Sequence, residues 1–314
     1  MRVVRWNSPS HVCYPPLCWA RMIYFGSFPE HSRPSMDCKA WKDIWGATWI
    51  DVEGEIFPSG PAITSDNIEA LQVPDPHSKV IRDNLKADYE KIDRKENILV
   101  VTHSYLMYEK CFNILGPEEF LYMMAADEDS TNLLLDKIFD FEMGIAEEYV
   151  KFKPDNVDTS DDYGMQDRLT ISPDMWRKYF KPRLKKLYDF YRSELGKDII
   201  ISHHSCGHVM PIVEDSIEIG LTILNPIQSL ANNPTELAKI ARNRLVLSGG
   251  IEAQRILPYG SPEDIRKEVF KKLDLYWHDG GYLPMAEKIT GVPDSNRMIM
   301  REAIKEWSKL NVEK

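Results

Sequence analysis

A histidine and a cysteine lie two residues apart where a predicted buried strand ends. Residues 198–211 read DIIISHHSCGHVMP, and the β-branched run predicts a strand that stops at the histidines. On a locally extended backbone, the side chains of His204 and Cys206 project to the same side and can share one metal ion. Imidazole nitrogen and thiolate sulfur are ligands that suit zinc. Gly207 then allows a tight turn into the next helix.

The same two residue types also serve purely structural roles. Cysteine is often buried as a small apolar side chain, and histidine often caps a helix or bonds a carbonyl group. A single His-x-Cys pair therefore leaves both interpretations open, and the surrounding elements have to decide between them.

The composition is that of an acidic soluble enzyme. The 314 residues are 43% hydrophobic, which suffices for a large core, and the formal net charge is −10. This charge argues against nucleic acid or an anionic membrane surface as the partner. No apolar run approaches the roughly 18 residues of a membrane span, and the first residues lack the apolar core of a signal peptide, so we expect a cytoplasmic protein. Five scattered cysteines without a CxxC pair predict reduced thiols.

The first 95 residues follow no regular pattern. Prolines and aromatic residues alternate over the first forty positions, where Val12-Cys-Tyr14 is a candidate strand. These aromatic side chains either cover an aromatic substrate or pack against one another. Two short strands forming a hairpin are predicted between Trp41 and Glu55, and a polar helix from about Ser78 to Lys95.

From residue 96 to 314 predicted strands alternate with predicted helices. The strands begin near Ile98, Asn156, Ile199, Leu221, Arg244 and Gly280. This alternation is typical of a parallel sheet with crossover helices, and about eight such units predict an α/β fold of the TIM-type (β/α)8 barrel class. We expect a single barrel domain over residues 1–314, to which the N-terminal segment and the hairpin are added. An open doubly wound sheet would require a GxGxxG turn after a strand, and the sequence has none.

Polar residues follow the predicted strands, at the end of a barrel where catalytic groups gather. His103 and Asp162 are candidates to orient a substrate or to act as acid and base, although a structural hydrogen bond is an equal alternative for His103. Further residues at these ends are expected to line a substrate pocket, namely Tyr163, Gln166, Asn225 and Gln228.

The second half of the chain resembles the uroporphyrinogen decarboxylase superfamily, and within it the cobalamin-dependent methyltransferase branch. The matching words, in order, are Asp162-Tyr-Gly-Met-Gln166, Ile171-Ser-Pro173, Lys181-Pro-Arg183, His204-Ser-Cys-Gly207, Asn225-Pro226 with Gln228, Ser248-Gly-Gly-Ile-Glu252, Gly260-Ser-Pro-Glu263, and Gly280-Gly-Tyr282 followed by Pro293 and Asn296. The resemblance implies a TIM-type barrel. True decarboxylases of this superfamily carry an arginine-rich motif near the N-terminus, and Arg21 and Arg33 do not match it.

The resemblance also implies a ligand set. In the methyltransferase branch the His-x-Cys pair supplies two zinc ligands, which places them here at His204 and Cys206, and a cysteine near the last barrel unit supplies the third. This chain has no cysteine after Cys206. Alignment of the flanking Gly-Gly-Tyr and Pro-x-x-Asn motifs puts Glu287 at or beside the position of that third cysteine. A carboxylate can bind zinc, so Glu287 is the predicted third ligand and His208 the alternative, unless Glu287 is merely solvated.

We therefore predict a zinc-dependent methyltransferase. It would move a methyl group between a small methylated compound and a corrinoid held by a separate protein, because the chain has no evident corrinoid-binding motif. The donor is expected to be a methoxylated aromatic compound, methanol or a methylamine, with the first favoured by the aromatic N-terminal segment. The alternatives are a metal-free decarboxylase and a non-catalytic barrel that binds a corrinoid protein.

Overall fold

A computed structural model describes residues 20–24, 33, 35, 37–95, 97–278, 280–287 and 291–311. The predicted strand at Val12-Cys-Tyr14 lies outside these residues. By its internal contacts the chain forms two compact units. Among the described residues, unit A comprises those within Arg21–Asp162 and Ile171–Ile201, and unit B comprises Ala20, Tyr163–Thr170 and those from Ser202 onward.

Unit A contains a small antiparallel sheet. After strand β1 (Ala20–Tyr24), the strands are β2 (Ala40–Lys42), β3 (Thr48–Val52) and β4 (Glu55–Gly60), paired in the order β2-β3-β4. The Asp43 carboxylate shapes the β2–β3 turn, because it accepts the backbone N–H groups of Trp45 (2.8 Å) and Ala47 (3.0 Å) and the indole N–H of Trp49 (2.8 Å). The sequence predicts two strands here, so β4 is an addition.

The rest of unit A is built from parallel strands and helices. Its strands are β5 (Ile98–His103) and β6 (Asn156–Ser160), which pair in parallel. Its helices are α1 (Lys79–Tyr89), α2 (Tyr108–Leu115), α3 (Pro117–Ala126), α4 (Glu128–Tyr149), α5 (Pro173–Tyr179) and α6 (Lys181–Leu195). Five of the six residues of β5 and three of the five residues of β6 are buried, as expected for parallel strands covered by helices.

Unit B carries the strands whose ends hold the predicted metal ligands. Strands β7 (Ile200–His204), β8 (Ile223–Asn225), β9 (Val246–Ile251) and β10 (Tyr282–Ala286) pair in parallel in this order. The helices are α7 (Val213–Glu218), α8 (Pro234–Ala241), α9 (Ile256–Tyr259), α10 (Pro262–Tyr276) and α11 (Asp294–Asn311). Because the strands are parallel, the residues that follow them meet at one edge of the sheet.

Two of the predicted helices differ in detail from those observed. The polar helix predicted from about Ser78 to Lys95 ends at Tyr89. The Ser-Pro pair at residues 172–173 predicts a single helix to Leu195, whereas the structure has two helices, α5 and α6, with a break at Phe180. Helix α2 has no counterpart in the prediction. Among the described residues no helix is long and apolar enough to cross a membrane.

Candidate metal centre

His204 and Cys206 lie side by side at the end of β7. The distance between His204 Nε2 and Cys206 Sγ is 3.5 Å, and both side chains are partly exposed. The other ring nitrogen, Nδ1, is 2.8 Å from the side-chain oxygen of Asn225, which is the register partner of His204 on β8. The spacing of the two residues in the sequence and their proximity in space therefore agree.

The neighbours of Asn225 determine which nitrogen of His204 carries a proton. The Asn225 amide nitrogen donates to Ser248 Oγ at 3.1 Å, so its carbonyl oxygen faces the imidazole. A carbonyl oxygen only accepts, so His204 Nδ1 must be the N–H donor in that contact. Nε2 then holds a lone pair directed towards the cysteine sulfur, which is the tautomer that binds a metal through Nε2.

The loop that carries Cys206 is held by two amide side chains that follow β8. The backbone N–H of Gly207 donates to Gln228 Oε1 (2.7 Å), and Asn232 donates to the Gly207 carbonyl oxygen (2.9 Å). Asn232 also accepts the N–H of Val209 at 2.9 Å. Gln228 was predicted to bind substrate, and its contact with Gly207 supports the loop. Asn232 has no motif that would have singled it out in the sequence.

A pair of glycines lets two segments of unit B approach closely beside Cys206. Gly207 has φ +80°, and a Cβ placed on it would lie 2.3 Å from the backbone of Gly164. The N–H of Gly164 donates to the Cys206 carbonyl oxygen at 3.2 Å. The N–H of the preceding residue, Tyr163, donates to Ser205 Oγ at 2.9 Å. The segment that begins at Tyr163 is thus fixed against the Cys206 loop.

Asp162 supplies a third donor atom to this place. It is joined by its peptide bond to Tyr163, and one atom each of Asp162, His204 and Cys206 lies within 4.8 Å of the other two. Nitrogen, sulfur and carboxylate oxygen together form a set that fits zinc, and three protein donors leave one coordination position for a substrate. The partly exposed side chains are consistent with such an open site.

Acidic groups in unit A surround the backbone of Asp162. Buried Asp161 accepts the N–H groups of Met107 (2.9 Å) and Glu109 (3.0 Å) at the start of α2. The Glu109 carboxylate accepts the N–H of Asp162 at 3.2 Å. Burial, and next the charges of Asp161 and Asp162, raise the pKa of Glu109 to about 8. Glu109 lies in the first turn of α2. Because the sequence does not predict this helix, it does not single out Glu109 either.

Glu287, the predicted third ligand, follows β10 and bonds to a different partner. Its Oε1 accepts both the backbone N–H and the hydroxyl of Ser229, each at 2.6 Å. Burial raises the pKa of Glu287, while the two Ser229 donors act in the opposite direction. It is not a member of the group formed by Asp162, His204 and Cys206.

His103, predicted as an acid or base, lies in the interior of unit A. Both ring nitrogens have partners, Glu142 at 2.6 Å and the Tyr191 hydroxyl at 2.7 Å. Lys110 donates to the other oxygen of Glu142 at 2.9 Å. All four side chains are buried, so this is a compensated internal network. The arrangement favours the structural alternative for His103.

The remaining predicted residues take varied positions in unit B. Tyr163 is fully buried and stacks on His203, with ring centroids 5.9 Å apart. Burial, and next the neighbouring His204, lower the pKa of His203 to about 3, so its ring is neutral. Gln166 is exposed. His208, the alternative ligand, donates from Nδ1 to the Ala231 carbonyl oxygen at 2.7 Å.

The sequence pattern of the family described as uroporphyrinogen decarboxylase (URO-D) matches residues 48–307. The chain belongs to the uroporphyrinogen decarboxylase family. This membership confirms the α/β fold class and the TIM-type barrel that the alternating strands and helices predict.

Solved structures of other proteins superpose on this chain. A methyltransferase from Methanosarcina mazei superposes with a TM-score of 0.66 at 18% sequence identity, over 84% of this chain and 76% of the other. A B12-independent methionine synthase from Shewanella sp. W3-18-1 gives a TM-score of 0.47 at 10% identity, over 84% of this chain and 70% of the other. None of the curated proteins matches the sequence.

Proposed function

We propose that this chain is a zinc-dependent methyltransferase that moves a methyl group between a small methylated compound and a corrinoid held by a separate protein. The observation that carries the proposal is the convergence of His204, Cys206 and Asp162 at the end of the parallel strands. The M. mazei methyltransferase, which shares the fold, supports the same reaction class. Membership of the family alone would leave decarboxylation equally open.

The chain's own residues would divide the work as follows. His204, Cys206 and Asp162 would hold zinc, which when bound supplies a Lewis acid to polarise an oxygen or nitrogen leaving group, or to hold a thiolate or alkoxide. Asn225 keeps the His204 ring in the Nε2-binding tautomer. Gln228 and Asn232 fix the loop of Cys206, so the sulfur does not have to be ordered when the metal binds.

The methyl donor would be a methoxylated aromatic compound, methanol or a methylamine. These share a methyl group on a heteroatom that leaves poorly unless it is activated, which is the chemistry that a zinc site with an open position supplies. We favour the aromatic donor because tryptophan, tyrosine and phenylalanine are frequent in the first forty residues of the sequence.

The proposal is tested by metal analysis and by methyl transfer. The purified protein is expected to contain about one zinc per chain and to methylate cob(I)alamin from one of the three donor classes. His204→Ala and Cys206→Ala should each lose zinc and at least about 100-fold of the transfer rate. Cys38→Ala is the matched thiol control, because the Cys38 thiol donates to the carbonyl oxygen of Ala40, the first residue of β2 in unit A. Full activity of both metal-site variants would refute the proposal.

A metal-free decarboxylase is the second candidate, and the family described by that activity favours it. Such an enzyme would act on a porphyrinogen or a smaller carboxylate without a corrinoid partner. Turnover of a porphyrinogen by chelator-treated protein, with no methyl transfer from any donor, would support this candidate. Binding of a corrinoid protein without either reaction would indicate a non-catalytic barrel.

A further inference from the structure

A short turn after β8 braces the loop that carries Cys206. Residues 228–232, which we term the bracing turn, meet residues 207–209 through backbone and side-chain hydrogen bonds. Gln228 accepts the Gly207 N–H, Asn232 bonds Gly207 and Val209, and the Ala231 carbonyl oxygen accepts the His208 ring N–H. The position of Cys206 therefore depends on the position of this turn.

The bracing turn is itself tied to the last strand of the sheet by one carboxylate. Glu287 Oε1 accepts the Ser229 N–H and the Ser229 hydroxyl, each at 2.6 Å, and Glu287 is bonded through its own N–H to the Ile251 carbonyl oxygen at 3.1 Å. Hydrogen bonds to a carboxylate are about twice as strong as neutral ones. Glu287 thus connects the ends of β9 and β10 to the turn that supports the cysteine loop.

We infer that Glu287 is a positioning residue, which acts on the metal site through Ser229 and the bracing turn and is not itself a ligand. The inference rests on the proposed function where it concerns zinc. It assigns a role to the carboxylate that the family resemblance would place as third ligand. The two roles require different contacts of the Glu287 carboxylate. As a ligand its oxygen would bind the metal, whereas as an anchor its oxygen accepts the hydrogen bonds from Ser229.

Conservative substitutions separate these roles. Glu287→Gln keeps an oxygen that can accept both Ser229 donors, but an amide is a poor zinc ligand. Glu287→Ala removes anchor and ligand alike. Ser229→Ala removes the hydroxyl donor and leaves any ligand role of Glu287 intact. The matched control is the Ser261–Asp264 pair at the start of α10, where one carboxylate oxygen also accepts both the N–H (3.0 Å) and the hydroxyl (2.6 Å) of a serine.

The measurement is zinc affinity by chelator competition in the full chain. As an anchor, Glu287→Gln should change the affinity less than about threefold, whereas Glu287→Ala and Ser229→Ala should weaken it, by about tenfold or more for Glu287→Ala, the usual range for groups that support a ligand from outside the coordination sphere. Ser229→Ala should have no further effect in the Glu287→Ala background. Asp264→Ala should leave the affinity unchanged. A loss in Glu287→Gln as large as that in Glu287→Ala, with Ser229→Ala neutral, would overturn the inference and identify a ligand.

Amide hydrogen exchange provides a readout that needs no metal. The Gly207 and Val209 N–H groups bond into the bracing turn, so both should exchange at least about tenfold faster in metal-free Glu287→Ala than in the metal-free parent protein. Asp264→Ala should not change their exchange. If the parent protein binds no zinc, the proposed function fails while this test of the anchor still stands. Unchanged exchange in Glu287→Ala would overturn the anchor whatever the metal content.

Discussion

At the scale of single residues, the site depends on which ring nitrogen of His204 carries the proton. The side-chain oxygen of Asn225 accepts from Nδ1, and its amide nitrogen donates to Ser248. The same amide nitrogen lies 3.6 Å from Met285 Sδ, to which Ser248 also donates at 3.1 Å. A short chain of side chains on β8, β9 and β10 therefore orients one ring on β7.

Removing that acceptor should weaken the metal site without removing a ligand. In Asn225→Ala the Nδ1–H loses its partner and the ring can rotate or change tautomer, so we expect zinc affinity to fall about tenfold. Chelator competition measures the change. Ser248→Ala should have a smaller effect in the same direction, because Asn225 can still face His204 without it. If Ser248→Ala loses more zinc affinity than Asn225→Ala, Asn225 is not the residue that mainly orients His204.

The sequence singled out the three candidate donors, but not all of the residues that hydrogen-bond around them. The spacing of His204 and Cys206 sufficed to place them together, and the position of Asp162 after a strand marked it as functional. Asn232 and Ser229 could not be singled out, because their importance lies in bonds to residues 25 and 58 positions away. A contact of that range leaves no local pattern in a single sequence.

At the scale of elements, the contact between Gly164 and Gly207 is sterically exclusive. Gly207→Ala would put a side chain at φ +80° and within 2.3 Å of the Gly164 backbone, so both strain and overlap oppose it. We expect a loss of about 2–4 kcal/mol in the free energy of unfolding. Gly54→Ala is the control, because Gly54 has φ +91° but no atom within 4 Å of the added Cβ. It should cost only about 1 kcal/mol. Equal losses in urea denaturation would show that overlap is unimportant.

An ion cluster joins α1 to α4 and should make unit A sensitive to acid. Burial raises the pKa of Glu148, but hydrogen bonds from Arg82, Lys151 and His77 outweigh it and lower the pKa to about 2 from 4.5. A lowered folded-state pKa stabilises the protein above pH 4.5, and this contribution is lost as the pH falls towards 2. In Glu148→Gln the urea midpoint should be lower at pH 5.5 and fall less between pH 5.5 and 3. Asp140→Asn, on the exposed face of α4, should keep the parent slope.

Helix α2 and strand β4 were not predicted from the sequence. Helix α2 depends on a contact distant in the sequence, and β4 is an edge strand in which proline is tolerated. Helix α2 begins at Tyr108 and has no side-chain cap at Met107. Instead Asp161, more than fifty residues later, accepts the N–H groups of Met107 and Glu109. No local capping signal exists to be read. Strand β4 contains Pro58, which indicates a turn, but β4 pairs only with β3 in the three-stranded sheet, and an edge strand tolerates proline.

The break between α5 and α6 has a local cause that was present in the sequence. Pro182 lacks an N–H, and its ring would collide with the carbonyl group four residues earlier in a continuous helix. It instead occupies the first turn of α6, where the missing N–H costs nothing. The strands were easier to predict, because buried parallel strands are short runs of β-branched residues bounded by polar ends, and β5 and β7 follow that pattern closely.

At the scale of the whole molecule, a metal that binds only the folded chain must stabilise it. Asp162 lies more than forty positions before His204 and Cys206 in the sequence, so the unfolded chain offers no equivalent site for all three donors. Free zinc at 100 times its dissociation constant adds about 2.7 kcal/mol to the free energy of unfolding. For a chain of this size that corresponds to a rise of roughly 4 °C in the melting temperature.

Calorimetry of the parent protein with zinc and after chelation should show this rise, and Cys206→Ala should abolish it. Cys38→Ala should respond to zinc like the parent protein, because the Cys38 thiol bonds the carbonyl oxygen of Ala40 at the start of β2. If zinc raises the melting temperature of Cys206→Ala as much as that of the parent protein, the stabilising zinc binds elsewhere on the chain and not at the candidate centre.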